Sequence, residues 1–280
     1  MSRLFNRVVR IEVISDGQQV TFEGLRMQFY VYKSRSDTPN ETSVRVYNAN
    51  PDNRRAALET GATVRVLAGY DTPVLLSQAQ ATSAFLERTP PDTIVQIECQ
   101  DGIDELRSVR VSLSFERGAT ARQVLDAISA QLGFPLRPIE VDLNIPMRGG
   151  YSHVGGVGTC LDDICGRAGA NWSVQNGDLM VLGADGKNPG EVFLISPQTG
   201  LLNSPQKLQS DLDTLNVGGP ELAGYKLQCL LLPQLEPGDQ IVLEAADVPR
   251  GTFVIDDVEH TGDTEGPEFF TALTVFEVTA

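Results

Sequence analysis

The chain has 280 residues, of which 41% are hydrophobic and 21% charged, and its formal net charge is −15 at pH 7. This length exceeds what a single hydrophobic core usually serves, so we expect two or three domains. Phosphate groups and anionic membrane surfaces attract clusters of Lys and Arg, so the acidic composition argues against binding to nucleic acids or membranes.

The first third of the chain, residues 1–105, is predicted to consist mainly of β-strands. Apolar and polar side chains alternate with the period of a half-buried sheet. Asn50-Pro51-Asp52 is typical of a helix start, and Gly61 of a helix end. The predicted strands are 8–14, 20–32, 43–47, 63–68, 74–87 and 93–100, with a loop at 34–42 and a helix at 53–60. Many strands with short turns indicate a closed or nearly closed antiparallel barrel.

The middle of the chain, residues 106–188, is predicted to be a small α+β module. A strand at 110–115 precedes a helix at 120–133, in which apolar residues recur at helical spacing. A second helix is predicted at 159–168. Asn176-Gly177 lies between two alternating runs, which predicts a β-hairpin with a tight turn.

The last third, residues 189–280, returns to alternating patterns. The predicted strands are 192–195, 225–232, 240–244, 252–259 and 269–278. We therefore predict a second antiparallel barrel here. The predicted fold class is α+β and mainly β, with two antiparallel β-barrels flanking the small α+β module.

Two internal similarities connect distant parts of the chain. Residues 58–68 and 235–245 both read Leu-Glu-x-Gly and continue as a strand that ends in Ala, which predicts the same strand of the same kind of barrel twice. A weaker similarity relates Leu125-Asp-Ala-Ile128 to Leu161-Asp-Asp-Ile164, each followed by Gly at the same spacing. This pair predicts two equal helices on one small sheet, although two ordinary amphipathic helices explain the pattern almost as well.

The sequence offers little for catalysis by histidine or for binding of phosphate. His153 and His260 are the only histidines, and the Gly-x-Ser-x-Gly pattern of a hydrolase is absent. We expect both histidines in surface or loop positions. Gly155-Gly-Val-Gly158 precedes a predicted helix, but Leu161 breaks the dinucleotide-binding pattern, so a flexible entry to the helix is the favoured interpretation.

Neighbouring carboxylates do not form an evident acid–base pair. Asp162-Asp163 and Asp256-Asp257 are adjacent in sequence, and adjacent side chains diverge on both helices and strands. Asp162 and Asp163 are expected in the first turn of their helix, where the helix dipole favours acids. The acids around Gly102, namely Asp101, Asp104 and Glu105, lack the spacing of a calcium loop. No catalytic, cofactor-binding or metal-binding residue is therefore predicted.

The cysteines and the N-terminus bear on the compartment. Free, buried thiols are expected for all four cysteines, Cys99, Cys160, Cys165 and Cys229, as in a reducing cytoplasm. The first ten residues lack the apolar core of a secretory signal. No stretch approaches the roughly 18 apolar residues of a spanning helix. We expect synthesis and assembly in a cytoplasm, without membrane insertion.

Several short motifs resemble one family. The most specific is Leu231-Leu-Pro-Gln-Leu-Glu-Pro-Gly238, which is similar to the C-terminal barrel of the baseplate hub proteins of contractile-tailed bacteriophages. Residues 200–205, Asn171-Trp172 with its hairpin, and Ile97-Glu-Cys-Gln-Asp-Gly102 resemble the same family. The resemblance spans nearly the whole chain, although each motif is short.

The resemblance implies a structural, non-enzymatic subunit without cofactors. Hubs of this family carry two tube-like barrels per chain and assemble as homotrimers, so that six similar barrels form a pseudo-sixfold ring. The ring would join the sixfold tail tube above to a threefold central spike below. Other baseplate proteins and the tape-measure protein are further expected partners, and genomic DNA would pass through the channel without specific binding. The expected location is the tail baseplate of the virion.

Two other functions remain open from the sequence. Residues 106–188 also resemble small glycan-binding folds such as LysM, and a pull-down on peptidoglycan would test that reading. An envelope-degrading tail enzyme is the third candidate, but it would need a metal site or a paired acid site that the sequence does not provide.

Overall fold

The computed structural model describes residues 6–35, 39–59, 61–102, 106, 108–183, 187–188, 191–208, 224–246 and 248–277. Within these ranges the chain forms one 13-stranded sheet and two small sheets of 2 and 3 strands. The prediction of an α+β, mainly β fold with large antiparallel sheets is confirmed. The predicted domain boundaries at 105 and 188 adjoin residues outside the described ranges, and they stay predictions.

The first strand-rich region contains seven strands and one helix. Their bounds are β1 Arg7–Ser15, β2 Gln18–Phe22, β3 Met27–Ser34, β4 Glu41–Tyr47, α1 Pro51–Ala57, β5 Thr63–Tyr70, β6 Val74–Thr89 and β7 Asp92–Gln100. They pair in the order β2-β1-β5-β6-β7-β4-β3, always antiparallel. In the described part of the chain, β1 and β3 do not pair with each other, so the strands do not close into a ring of hydrogen bonds. Residues of both strands nevertheless belong to one core.

Two predictions in this region need correction. The single strand predicted at 20–32 is two strands, because the chain turns at Gly24, whose φ of +67° suits glycine. The helix spans Pro51–Ala57 rather than 53–60, so it ends before Gly61, the predicted helix end. The Asn50 side chain accepts a hydrogen bond from the Asn53 N–H (2.8 Å), and proline at the first helical position is preorganised for the helix.

The middle region forms the predicted α+β module. Its elements are β8 Arg110–Phe115, α2 Ala121–Leu132, β9 Leu136–Ile139, β10 Tyr151–Gly156, α3 Val157–Arg167, β11 Ala170–Gln175 and β12 Asp178–Gly183. Thr120 caps α2 in a capping box, and Gly133 ends it in the left-handed conformation. The predicted hairpin at Asn176-Gly177 is confirmed as the β11–β12 turn.

The two helices of the module share one core and lie against two small sheets. Strand β8 pairs only with β10 in the described ranges, whereas β12 pairs with β11 and, in parallel, with β9. The expectation of a single small sheet needs correction, because the strands form two small sheets and each helix contacts strands of both. The order β8-α2-β9 is instead repeated as β10-α3-β11, and both helices contribute buried apolar residues to one cluster.

The last region contains the predicted strands and one short extra strand. The bounds are β13 Phe193–Ile195, β14 Gln206–Lys207, β15 Gly224–Leu230, β16 Gln240–Ala245, β17 Val248–Asp263 and β18 Phe269–Glu277. They pair in the order β13-β16-β17-β18-β15-β14, and only the β13–β16 pair is parallel. Their inward residues form a separate apolar core.

The similar segments 58–68 and 235–245 occupy equivalent strands, as predicted. Segment 58–68 leads into β5 and segment 235–245 into β16, and each is followed by a strand of 16 residues and then one of 9 residues. The chain turns through Gly61 (φ +80°) in one copy and Gly238 (φ +93°) in the other. We call β5-β6-β7 the first meander and β16-β17-β18 the second meander.

The two meanders also share their irregularities. The Gly61 N–H donates to the Ala81 carbonyl and the Gly238 N–H to the Ile255 carbonyl, both at 2.8 Å. A β-bulge follows each of these two acceptors, between Ala81 and Ser83 and between Ile255 and Asp257. Because a bulge shifts register at one defined residue, this match aligns β6 with β17 residue by residue.

The two strand-rich regions are joined in one sheet. Residues 257–263 of β17 pair antiparallel with residues 28–34 of β3. The long sheet therefore runs from β14 through the second meander, across β3 and β4, and on through the first meander. Strand pairing places the two regions side by side in a fixed register.

Candidate functional site

The candidate site is the junction where the first strand-rich region, the second meander and the β11–β12 hairpin meet. Its central strand pair is β3–β17, and His260 lies in the middle of that pair, opposite Val31. His260 is completely buried, and its Nδ1 lies 2.9 Å from the Thr271 hydroxyl. Burial, followed by the nearby positive charge of Lys33, lowers the pKa of His260 to about 3.

The prediction of a surface or loop position is therefore wrong for His260. It occupies an inward position of a strand, where β3 and β18 cover it on both sides. A neutral imidazole sealed from solvent cannot exchange protons with a substrate. The role that this geometry supports is packing of the junction.

Lys33 is the charged group next to His260. Its side chain is only 3% exposed, and its ammonium lies 3.4 Å from a carboxylate oxygen of Glu236, which is 30% exposed. The same Glu236 oxygen accepts a hydrogen bond from the Asn176 side-chain amide (3.1 Å). A buried cation needs such a partner, because an unpaired charge in the interior costs several kcal/mol. Lys33 thus connects the first region to the second meander and to the hairpin.

The tip of the β11–β12 hairpin is held by polar groups of the first region. Asn40 donates through its side-chain amide to the Val174 carbonyl (2.9 Å) and to the Gln175 side chain (2.8 Å). Gln175 in turn donates to the Ser34 carbonyl (2.8 Å). The Asn176 N–H donates to Asp101 at 2.6 Å. These buried contacts fix the position of the module relative to the long sheet.

Asp101 is the titratable group of this contact. It is 5% exposed. Burial raises the pKa of Asp101 to about 7, although the N–H groups of Asn176 and Gly177, the Asn40 amide and the charge of Lys33 oppose the rise. Asp104 and Glu105, the other acids considered around Gly102, lie outside the described residues. Asp101 therefore serves as an acceptor for the hairpin.

His153 and the glycine-rich segment after it belong to regular structure. His153 lies on β10, half-buried, with Nε2 3.3 Å from the Gly156 carbonyl, so its predicted loop position is wrong. The strand passes directly into α3 at Val157, and Gly158 lies within the first turn. A run of glycine has low strand propensity, which explains why the sequence suggested a loop.

The side chains of each carboxylate pair diverge, as predicted, but Asp162 and Asp163 do not lie in the first turn of their helix. Asp162 and Asp163 lie past the first turn of α3, which contains no acid, so the dipole explanation is wrong. Asp162 accepts from the Trp172 indole N–H (2.8 Å), and Asp163 binds Arg167 (3.0 Å). On β17, Asp256 is the extra residue of the bulge, whereas Asp257 accepts from the Tyr32 hydroxyl (3.0 Å).

The four cysteines are free and buried, as predicted. Burial raises the pKa of Cys99, Cys165 and Cys229 to about 12, so these thiols stay protonated and unreactive at neutral pH. Across the described residues, no three His, Cys, Asp or Glu side chains are grouped so as to hold a metal ion. No helix in those ranges is long and apolar enough to span a bilayer.

The face of the long sheet that points away from the cores is polar. Its residues alternate with buried ones on β3, β4, β7, β17 and β18. Hydrogen bonds connect its side chains laterally: Ser43 to Glu98 (3.0 Å), Arg45 to Gln96 (3.0 Å) and Gln96 to Glu98 (2.6 Å). We call this surface the outer face. Tyr30, Tyr32, Glu259 and Thr274 also belong to it.

Sequence reasoning missed the residues that build the junction, namely Lys33, Asn40, Gln175 and Glu236. One signal was available for Lys33. In β3, Met27, Phe29, Val31 and Lys33 all occupy inward positions of the same alternation. A lysine in an inward register position indicates a buried ion pair. The other three residues carry no local pattern, because their partners are distant in sequence.

Comparison with known proteins gives the same fold at very low sequence identity. No protein-family model matches the chain, and no curated protein matches its sequence. Among solved structures, the chain has the fold of phage tail proteins. The 43 kDa tail protein of prophage MuSo2 from Shewanella oneidensis superposes with a TM-score of 0.70 at 10% identity, over 96% of this chain and 98% of that one.

Two further structures share the fold. A tail protein from Neisseria meningitidis MC58 has a TM-score of 0.70 at 12% identity, over 98% of this chain and 97% of that one. The E. coli c3393 protein has a TM-score of 0.59 at 11% identity, over 91% of this chain and 74% of that one. That protein is described as a type VI secretion component with structural similarity to the T4 tail proteins gp27 and gp5.

Proposed function

We propose that this chain is a structural subunit of a contractile phage tail, and specifically a baseplate hub. Three copies would form a ring of six similar units around the tail channel, joining a sixfold tube to a threefold central spike. The observation that carries the proposal is the β3–β17 pair, which joins the two equivalent meanders in one continuous sheet, with β3 and β4 between them.

The shape of this sheet supports a ring-forming role. Closed rings arise when each subunit contacts the next head to tail through complementary edges. Within one chain, the second meander already meets the first region in such a head-to-tail manner. Likeness to tail proteins over nearly the full length of both chains supports the tail assignment.

A non-enzymatic role is part of the proposal. His260 is sealed in the junction, and His153 lies on β10 beside glycine residues. His153→Ala should therefore leave tail assembly and infectivity intact. His260→Ala should act only through folding, since it leaves a cavity in the junction. Normal particles that lose infectivity with His153→Ala would contradict the structural role.

The proposal is tested by the mass of the full chain in solution. Size-exclusion chromatography with light scattering should give three times the 30.3 kDa mass of one chain. If the chain forms the ring only on its partners, mixing with tail-tube protein of the same phage should give a larger complex that contains three copies of this chain. A monomer or a twofold dimer under both conditions would refute the trimeric hub.

A further inference from the structure

The second half of β6 has an open edge. Residues 83–89 pair with β7 on one side, and no strand in the described part of the chain pairs with the other side. The bulges align this segment with residues 257–263 of β17, whose outer edge is the one that pairs with β3. One segment is thus covered within the chain, and its equivalent is not.

Burial follows this difference. In the covered segment, Val258 and His260 are completely buried and Asp263 is nearly so. In the open segment, the equivalent Ala84 and Leu86 are only half-buried, Thr89 is exposed, and Phe85 keeps 45% of its surface in solvent. An exposed strand edge with an exposed aromatic side chain is a template for pairing with another chain.

A second open edge lies at β14, which is one end of the long sheet. Strand β14 pairs with β15 as β3 pairs with β4, and the described ranges contain no partner for its other side. The bulge-based alignment matches Gln206 with Tyr30 and Lys207 with Val31. The edge of β14 is therefore the counterpart of the β3 edge that receives β17.

We propose that the open edge of β6 pairs antiparallel with the β14 edge of a second copy of this chain, in the register of the β3–β17 pair. Transferring that register places Glu87 opposite Gln206, Leu86 opposite Lys207, and Phe85 opposite Leu208. The inference rests on the proposed ring and names the contact that closes it.

The chemistry of the two edges fits this register. Phe85 is the exposed aromatic residue of one edge, and the half-buried Leu208 is the apolar residue of the other. Such cross-strand apolar pairs stabilise a sheet. The Leu208 N–H points inward to the Gly224 carbonyl (2.9 Å), so by alternation the N–H and carbonyl of Lys207 point to the open edge. Pro205, which also points outward, offers only its carbonyl.

Six strands separate β14 from the second half of β6 in the sheet order, and the two open edges face away from each other along that row. Successive copies would join head to tail, and the contact between chains would repeat the contact within each chain. Such a heterologous contact closes into a ring only when the rotation per unit divides a full turn. In a trimer of this chain the ring would alternate three β17–β3 pairs with three β6–β14 pairs.

Cysteine crosslinking of the full-length chain tests the pairing. Glu87 and Gln206 would face each other as a non-hydrogen-bonded pair, whose Cα atoms lie about 4.5 Å apart, which is within the range that a disulfide spans. The double variant Glu87→Cys/Gln206→Cys should, on mild oxidation, convert most of the protein to a covalent trimer on a non-reducing gel. The native thiols are buried, so the unaltered chain should stay uncrosslinked.

A matched control places the first cysteine on the opposite face of the sheet and keeps the second one at Gln206. Arg88 adjoins Glu87 but points to the opposite face, so Arg88→Cys/Gln206→Cys should give less than a tenth of the crosslinked product. A trimer by light scattering in which the first pair fails to crosslink would overturn the edge pairing and leave the ring intact. Equal crosslinking of both pairs would overturn the register. A monomer would overturn the ring and the pairing together.

Discussion

At the scale of single residues, the junction contains two buried groups, His260 and Asp101, with shifted pKa values. The two shifts change the folding stability with pH in opposite directions. The pKa of His260 is lowered to about 3, so this group disfavours the folded state in acid. The pKa of Asp101 is raised to about 7, so this group disfavours the folded state near neutral pH and above. Their effects partly cancel between about pH 4 and 6.5, and single substitutions should separate them.

Replacing His260 by Gln should flatten the loss of stability in acid. As the pH falls from about 6.5 toward 3, unfolded His260 takes up a proton that the folded state rejects, so the free energy of unfolding falls by up to about 1.4 kcal/mol per pH unit. The variant lacks this contribution. Urea denaturation from pH 3 to 8 should show its stability rising relative to the unaltered chain as the pH falls. A constant difference would mean that His260 protonates freely in the fold.

Replacing Asp101 by Asn should have the opposite pH signature. Between about pH 4 and 7 the unfolded carboxyl is ionised while the folded one keeps its proton, so the unaltered chain loses stability as the pH rises. The difference in unfolding free energy, Asp101→Asn minus unaltered chain, should therefore increase from pH 4 to 7 and then level off. The same denaturation series measures it, and a difference that decreases with pH would contradict the buried, protonated Asp101.

At the scale of elements, the sequence was informative where the pattern is local. Alternation located most strands within a few residues, although β9, β10 and β14 were not predicted. The Asn-Gly turn and Gly133 at the end of α2 were recognisable. The β3–β17 pair was not predictable, because its partners are separated by more than two hundred residues and share no local signal. His260 was misplaced for the same reason: the strands that bury it are known only from the fold.

The repeated turn gives a prediction at this scale. Gly61 and Gly238 both have positive φ, so alanine at either position should cost about 1–2 kcal/mol in backbone strain. A Cβ at Gly61 would meet open space, whereas a Cβ at Gly238 would lie 3.2 Å from the Asn188 side chain. Gly238→Ala should therefore destabilise more than Gly61→Ala in urea denaturation. The reverse order would contradict the close approach of the Asn188 side chain to Gly238.

At the scale of the whole molecule, the outer face carries more acidic than basic side chains. The outer face carries Glu41, Glu98, Asp257 and Glu259 against Arg45 and Lys226, and the rest of it is mostly neutral and polar. If this face lines the channel of the ring, negative and neutral side chains would let DNA pass without holding it, because they repel phosphate.

Reversing charge on the outer face should create DNA binding. The double variant Glu98→Lys/Glu259→Lys should bind short duplex DNA at least about tenfold more tightly than the unaltered ring, with affinity falling steeply as salt increases. The control Glu116→Lys/Glu191→Lys makes the same change of charge at exposed positions elsewhere. Fluorescence anisotropy compares the three proteins, and equal binding by both variants would show that the outer face does not line the channel.

The most direct test of the ring is its symmetry by electron cryomicroscopy of the assembled full-length protein. The account predicts a closed ring of three chains in which six similar barrel densities surround one channel, with the outer face of the long sheet toward the lumen. In that map, contacts between chains and contacts within chains should alternate and look alike. A ring with another number of chains, or one in which the two meanders occupy unlike positions, would contradict the account.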